Sequence, residues 1–268
     1  MSDRVIVSMQ DGIADVRLNR ADKMNALDPL MFEALAETGK RLAGDRSLRA
    51  VVLSGEGRAF CAGLDFGSFM GMTGGGERSG PKLIERGPGE VANYAQQAAF
   101  VWTTAPVPVI AAVHGVAYGG GLQIALGADI RFVTPDAKLS VMEIKWGLIP
   151  DMSGTQTLRR LVRLDVAKEL TFTGRVLSGT EAVALGLATH VSDEPRAAAM
   201  AMARDIAGKS PDAIRAGKRI LNESGLVSLA EGLRLEEELQ MRLIGSPNQI
   251  EAVQANFEKR APAFRDPE

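Results

Sequence analysis

Cysteine is almost missing from this chain: Cys61 is the single one among 268 residues. An intrachain disulfide framework is therefore excluded, and a reducing, cytoplasmic setting is expected. Histidine is nearly as scarce, with His114 and His190 alone. Two imidazoles cannot build a histidine-rich metal site, and no metal-ligand spacing appears. An excess of either charge is lacking too. The 31 basic and 33 acidic residues leave a net charge of −2, so no nucleic-acid partner is expected and no like-charge block forms an interaction tail. A long unbroken apolar run is also absent. The most apolar stretch, 107–130, contains Pro108, His114, five glycines, Gln123 and Asp129. It reads as strand, loop and helix rather than as a membrane span. No apolar segment follows the charges at the start, so no signal peptide is expected. No G-x-G-x-x-G or Walker sequence occurs, which leaves nicotinamide, flavin and ATP unimplied.

What is present is a core-forming composition, 46% hydrophobic, in a length that allows one large domain with a tail or two domains. Residues 5–9 and 13–18 read as paired strands around the Asp11-Gly12 turn. Asp28-Pro29 opens a helix that runs to Gly44, with Asp28 as N-cap. A buried strand covers 48–53. Residues 66–90, with a glycine-rich run at 71–81, read as a surface loop beside a pocket or as a plain linker. Helix resumes at 91–103, strand at 107–113, helix from Gly120, then strands at 130–133 and 139–141. This alternation predicts an α/β core. Beyond 153 the pattern turns helical: 165–173, 179–185, 194–209, 211–223, 228–244 and 247–258. The division expected is a core over 1–200 and a helical region over 201–268, the latter carrying subunit contacts.

Two glycine-bearing segments lie about sixty residues apart. One is Ala59-Phe60-Cys61-Ala62-Gly63-Leu64-Asp65. The other is His114-Gly115-Val116-Ala117-Tyr118-Gly119-Gly120-Gly121-Leu122-Gln123. Each is suited to present a backbone N–H to one oxygen, and the second starts a helix. Such a pair stabilises negative charge drawn onto a carbonyl oxygen. Taken alone, Gly119–Gly121 reads first as a flexible turn; paired with the Gly63 segment, it reads as a donor site. Glu143 follows a buried-looking strand beside Val141, Met142, Ile144 and Trp146. Desolvation there would raise its carboxyl toward a range useful for proton transfer; a surface glutamate at a strand end is the plainer alternative. Trp146, Met142, Phe66, Phe69 and Met70 line an acyl pocket or simply pack in the core. Cys61 has no histidine near in sequence and reads as a small buried residue.

Leu18-Asn19-Arg20, Met24-Asn25-Ala26-Leu27, the 57–65 segment, Pro108 to Gly115, the glycine triplet, Gly147-Leu148-Ile149-Pro150, Phe172-Thr173-Gly174 and Phe257-Glu258-Lys259-Arg260 follow in order. As an ordered set they resemble the enoyl-CoA hydratase/isomerase (crotonase) family over nearly the whole chain. The resemblance implies a ClpP/crotonase-like spiral of β-β-α units with a C-terminal helical trimerisation region, assembled as a homotrimer or hexamer. It implies an acyl-CoA substrate, with coenzyme A carried as the thioester and no separate cofactor. The oxyanion donors would be the N–H groups of Leu64 and Gly120. Glu143 would be the proton carrier, and the adenine would lie near Ala62, Gly63, Leu64, Asp65 and Phe66. Arg20, Lys23 and Lys259 would face the phosphates. Hydratases of the family carry a second glutamate where this chain has Gln123, which can hold a water or a substrate oxygen but cannot take a proton. Dienoyl-CoA isomerases carry an aspartate at the place of Asp151, which is otherwise an N-cap for the helix starting near 152–154. A double-bond isomerase is expected first, a hydratase second.

Overall fold

A computed structural model describes residues 3–67 and 83–267. The glycine-rich run 71–81, Phe69 and Met70 lie outside the described residues. The chain begins with β1 (Val5–Gln10) and β2 (Ile13–Leu18), paired antiparallel with Gln10 opposite Ile13. Asp11 and Gly12 both take positive φ, the two-residue turn whose twist suits a hairpin. Helix α1 (Pro29–Ala43) follows, with Asp28 accepting from the Met31 N–H at 2.9 Å. Strand β3 (Ala50–Gly55) then pairs parallel with β2.

Helix α2 (Tyr94–Thr104) leads to β4 (Val109–Val113), β5 (Val116–Tyr118) and α3 (Gly120–Leu126). Strands β6 (Ile130–Val133) and β7 (Lys138–Ser140) follow, then a one-turn 3-10 helix at Glu143–Trp146. Next come α4 (Gly154–Leu161), α5 (Leu164–Thr173), β8 (Leu177–Ser178), α6 (Gly179–Ala184) and β9 (His190–Val191). The chain closes with α7 (Pro195–Ala207), α8 (Pro211–Glu223), α9 (Leu229–Leu243) and α10 (Pro247–Glu258).

The larger sheet has the order β1-β2-β3-β4-β6-β9, and the smaller one β5-β7-β8. Every pairing in the larger sheet after the hairpin is parallel. Its inner strands β3 and β4 are covered on both faces, which explains their apolar runs. Val51, Leu53, Val109 and Ala111 join the main core with Phe32, Leu35 and Trp102. Ala50, Val52, Ile110 and Ala112 face the opposite way, onto Ala199 and Ala203. Those two alanines stand one turn apart on α7 and let the helix lie close to the sheet. The Arg196 guanidinium, bonded to the Asp15 carboxylate at 2.5 Å, pins the start of α7 to β2.

Candidate active site

Strands β3 and β4 are parallel neighbours, so their carboxyl ends open on the same side of the sheet. The segments leaving them are joined there. The Phe60 N–H donates to His114 O at 2.9 Å, Cys61 N–H to Val116 O at 3.0 Å, and Tyr118 N–H to Cys61 O at 3.1 Å. This places the site outside the carboxyl ends of the strands, where open α/β sheets commonly bind ligands.

Leu64 is oriented by its own pairing. Leu27 N–H donates to Gly63 O at 2.8 Å and Asp65 N–H donates to Leu27 O at 3.0 Å. In such a parallel bridge the middle residue's N–H points away from the partner strand. The Leu64 N–H therefore faces away from Leu27 and has no backbone acceptor among the described residues. Gly63 makes this bend with φ of +85°, and a Cβ there would meet Tyr118 O at 2.5 Å and Gly120 N at 3.7 Å. The two glycine segments thus converge closely.

Gly119 N–H is spent on Ser140 O at 3.0 Å. Its φ of +50° and ψ of −121° suit glycine, and a Cβ there would stand 3.3 Å from Glu143 Oε1. Gly120 is the first residue of α3, so its N–H is one of the helix's unpaired donors. A Cβ at Gly120 would meet Met152 Sδ at 2.7 Å and Leu27 Cδ1 at 2.8 Å.

Glu143 sits buried in the 3-10 turn that follows β7. Burial pushes its carboxyl upward, the Gln123 hydrogen bond opposes this, and the nearby Asp151 charge adds to it. Its Oε1 accepts from Gln123 Nε2 at 2.6 Å. Its Oε2 is buried with no hydrogen-bond partner among the described residues. Glu143 packs against Gly119, next to Gly120, and Gly63 lies close to Gly120 N. A buried carboxylate with one oxygen unpartnered among the described residues, set by this turn, is equipped to remove or deliver a proton while charge sits on an oxygen.

Asp151 is not an N-cap. The residue before α4 is Ser153, left-handed at φ 66° and without a side-chain cap. The N–H groups of Met152 and Gly154 donate instead to Gln123 Oε1, at 2.8 and 2.9 Å. Asp151 is left with an exposed side chain, crowded enough that desolvation raises its carboxyl. Nor is Gln123 open to hold a water through its oxygen, because that oxygen already accepts these two bonds.

Arg20 and Asp65 pair at 2.7 Å. The Arg20 guanidinium also reaches Asp28 Oδ2 at 3.6 Å and Ala26 O at 3.0 Å. It is an internal strut under the Ala62–Phe66 segment, which does not suit the phosphate role expected of it. Lys23 and Lys259 are exposed, and Lys259 ends α10 in the left-handed region. Phe66 stacks on Trp146 with centroids 3.9 Å apart. Trp146 is 51% exposed, so it is a site-edge residue and not core. Cys61 is fully buried, donates to Asn25 O at 3.1 Å, and its thiol is pushed up to about 12 by burial. That suits a packing role and not a nucleophile.

Asn25 was legible only as part of a motif. Buried and left-handed, it accepts from Arg20 N–H at 2.8 Å and donates to Glu56 O and Ala59 O at 2.9 and 2.8 Å. It ties the first loop to the segment that leads to Gly63. A cavity of about 860 Å³ lies elsewhere, between α8, α9 and the C-terminal tail. Leu64, Gly120 and Glu143 do not line it, so the site is assigned from its chemistry and not from volume.

The enoyl-CoA hydratase/isomerase family model matches residues 8–267. The chain belongs to this family. It is 36% identical to the human mitochondrial enoyl-CoA hydratase domain-containing protein 2, over 97% of this chain and 88% of that protein. It is 34% identical to the mouse mitochondrial methylglutaconyl-CoA hydratase, over 95% and 80%. The solved enoyl-CoA hydratase of Bacillus anthracis superposes with a TM-score of 0.88 at 29% identity, covering 99% of this chain and all of that one. The fold is accordingly the crotonase-like α/β spiral, and the chain is an acyl-CoA enzyme of the hydratase/isomerase type. No helix among the described residues is long and apolar enough to cross a membrane.

Proposed function

We propose that this enzyme moves a double bond in an enoyl-CoA or dienoyl-CoA, through an enolate whose oxygen is held by the Leu64 and Gly120 N–H groups. The observation that carries this reading is the state of the two acidic positions. Glu143 is the buried carboxylate beside the glycine turn, and one of its oxygens has no partner among the described residues. Gln123 can take no proton, and its oxygen is already shared between two backbone N–H groups. One carboxylate suffices for isomerisation. Glu143 Oε2 removes a proton from C2, and the C–H electrons move into the thioester enolate, conjugated with the C3–C4 double bond. The same O–H then delivers its proton to C4, the double bond shifts to C2–C3, and the carbonyl is restored. Two N–H donors make the intermediate accessible, and loss of one costs roughly 100- to 1000-fold. In the dienoyl version Asp151 delivers the proton farther along the chain.

Hydration of 2-enoyl-CoA is the second reading. It is favoured by the hydratases among the relatives, and Asp151 would then serve as the second carboxylate. The acyl-CoA comes as the thioester, with Lys23 and Lys259 near its phosphates and no further cofactor. The working assembly is a trimer or hexamer formed through the 201–268 region, in a cytoplasmic setting. A spectrophotometric assay with 2-enoyl-, 3-enoyl- and 3,5-dienoyl-CoA separates the readings. Isomerisation of the 3-enoyl or 3,5-dienoyl substrate is the expected result. Turnover of 2-enoyl-CoA alone, by addition of water, overturns it.

A further inference from the structure

Gln123 occupies the turn of α3 directly after Gly120 and is 2% exposed. Its amide can face only one way. Oε1 receives two backbone N–H donors, Met152 at 2.8 Å and Gly154 at 2.9 Å. Backbone N–H groups cannot accept, so the amide oxygen must point at them and the NH₂ must point at Glu143. The NH₂ in turn cannot accept, so Glu143 Oε1 must present a lone pair at 2.6 Å. A carbonyl-type oxygen is the stronger acceptor, so in a neutral Glu143 this bond favours the proton on Oε2, the oxygen without a partner among the described residues.

Resting on the enolate reading above, we propose that Gln123 is a positioning residue that fixes which oxygen of Glu143 carries the proton. Oε1 is tethered, and Oε2 is the atom that forms and breaks the O–H bond. The same amide joins three parts of the site: the helix whose first N–H is an oxyanion donor, the carboxylate, and the turn bearing Asp151. Among charged groups on the elements packed against the Glu143 turn are Lys145 on the turn itself, Asp151 on the following loop, and Asp165, Lys168 and Glu169 on α5. Of these, Asp151 is the one whose charge acts on Glu143. Removing the Gln123 donor leaves only the backbone hydrogen bond at Glu143 to oppose burial and the Asp151 charge, and the Glu143 carboxyl rises further.

The test uses Gln123→Leu, which removes the donor, and Gln123→Glu, which keeps an acceptor for the Met152 and Gly154 N–H groups but sets a second carboxylate against Glu143. Side-chain carboxyl ¹³C titration follows Glu143 in the full-length enzyme, its signal assigned by disappearance in Glu143→Gln. The expected result is a Glu143 midpoint raised by about one pH unit in either variant. The acidic limb of kcat moves in parallel, and kcat falls roughly 10- to 100-fold while KM stays within about threefold. An unchanged midpoint in a folded variant overturns the proposal. If Gln123→Leu fails to fold, Gln123→Met, which also lacks the donor but keeps the length of the side chain, is read in its place. If the wild-type enzyme turns over none of the three acyl-CoA classes, the enolate reading fails, and the titration still decides the tether.

Discussion

The free Oε2 of Glu143 is the residue-scale feature on which proton transfer depends. Glu143→Gln keeps the shape and the acceptor for Gln123 but removes the base, so kcat should fall by on the order of 100- to 10,000-fold. The same substitution has a stability signature of definite sign. Burial holds the Glu143 carboxyl above its ordinary value of 4.5. The folded state therefore binds more protons than the unfolded one, and stability present below the ordinary value is lost as pH rises through the raised value. The Tm of the variant should gain on the wild type as pH climbs through that window; a constant difference contradicts the buried carboxylate. Gly120→Ala leaves the N–H in place but forces a methyl against Met152 and Leu27. A shifted donor should lower kcat by roughly 100-fold, read beside a Tm measurement that reports any loss of fold. In the sequence, Glu143 was visible because acidic residues near the glycine triplet are few. The double use of Gln123 was not, because its partners lie about twenty and thirty positions away and meet only in the folded chain.

Among the elements, those with local signals were readable and those held by distant partners were not. The Asp11-Gly12 hairpin and the Asp28-Pro29 helix start carry their instructions within a few residues, and both formed as expected. Strands β5, β8 and β9 are two or three residues long and show no period to read. Helix α4 misled because its cap is a glutamine from α3 and not the aspartate beside it. Asn25 likewise supports a loop that sequence alone could only flag. Asn25→Ala would strand the Arg20 N–H and remove a donor from two carbonyls in a buried place. A cost of roughly 2–4 kcal/mol is expected by chemical denaturation, with reduced turnover because the Gly63 segment loses its tie. A change below about 0.5 kcal/mol would show that Asn25 carries no such load.

At the scale of the molecule, parallel pairing of β3 and β4 turns two motifs about sixty residues apart into one site. Sequence gave the motifs, but only the sheet order makes them neighbours. The helical C-terminal region exposes large apolar side chains, among them Leu229 at 80% and Phe257 at 84%. Such surface is expected to be covered in an assembly. Sedimentation should show a trimer or hexamer, and the pair Leu229→Asp with Phe257→Asp should shift it to smaller species; a monomeric wild type contradicts the assembly. The most direct measurement of the whole account is a crystal structure with a non-reactive acyl-CoA analogue bound. The thioester oxygen should lie about 2.7–3.1 Å from both the Leu64 and Gly120 nitrogens, with Glu143 Oε2 facing C2. A thioester bound with its oxygen away from those two amides would contradict it.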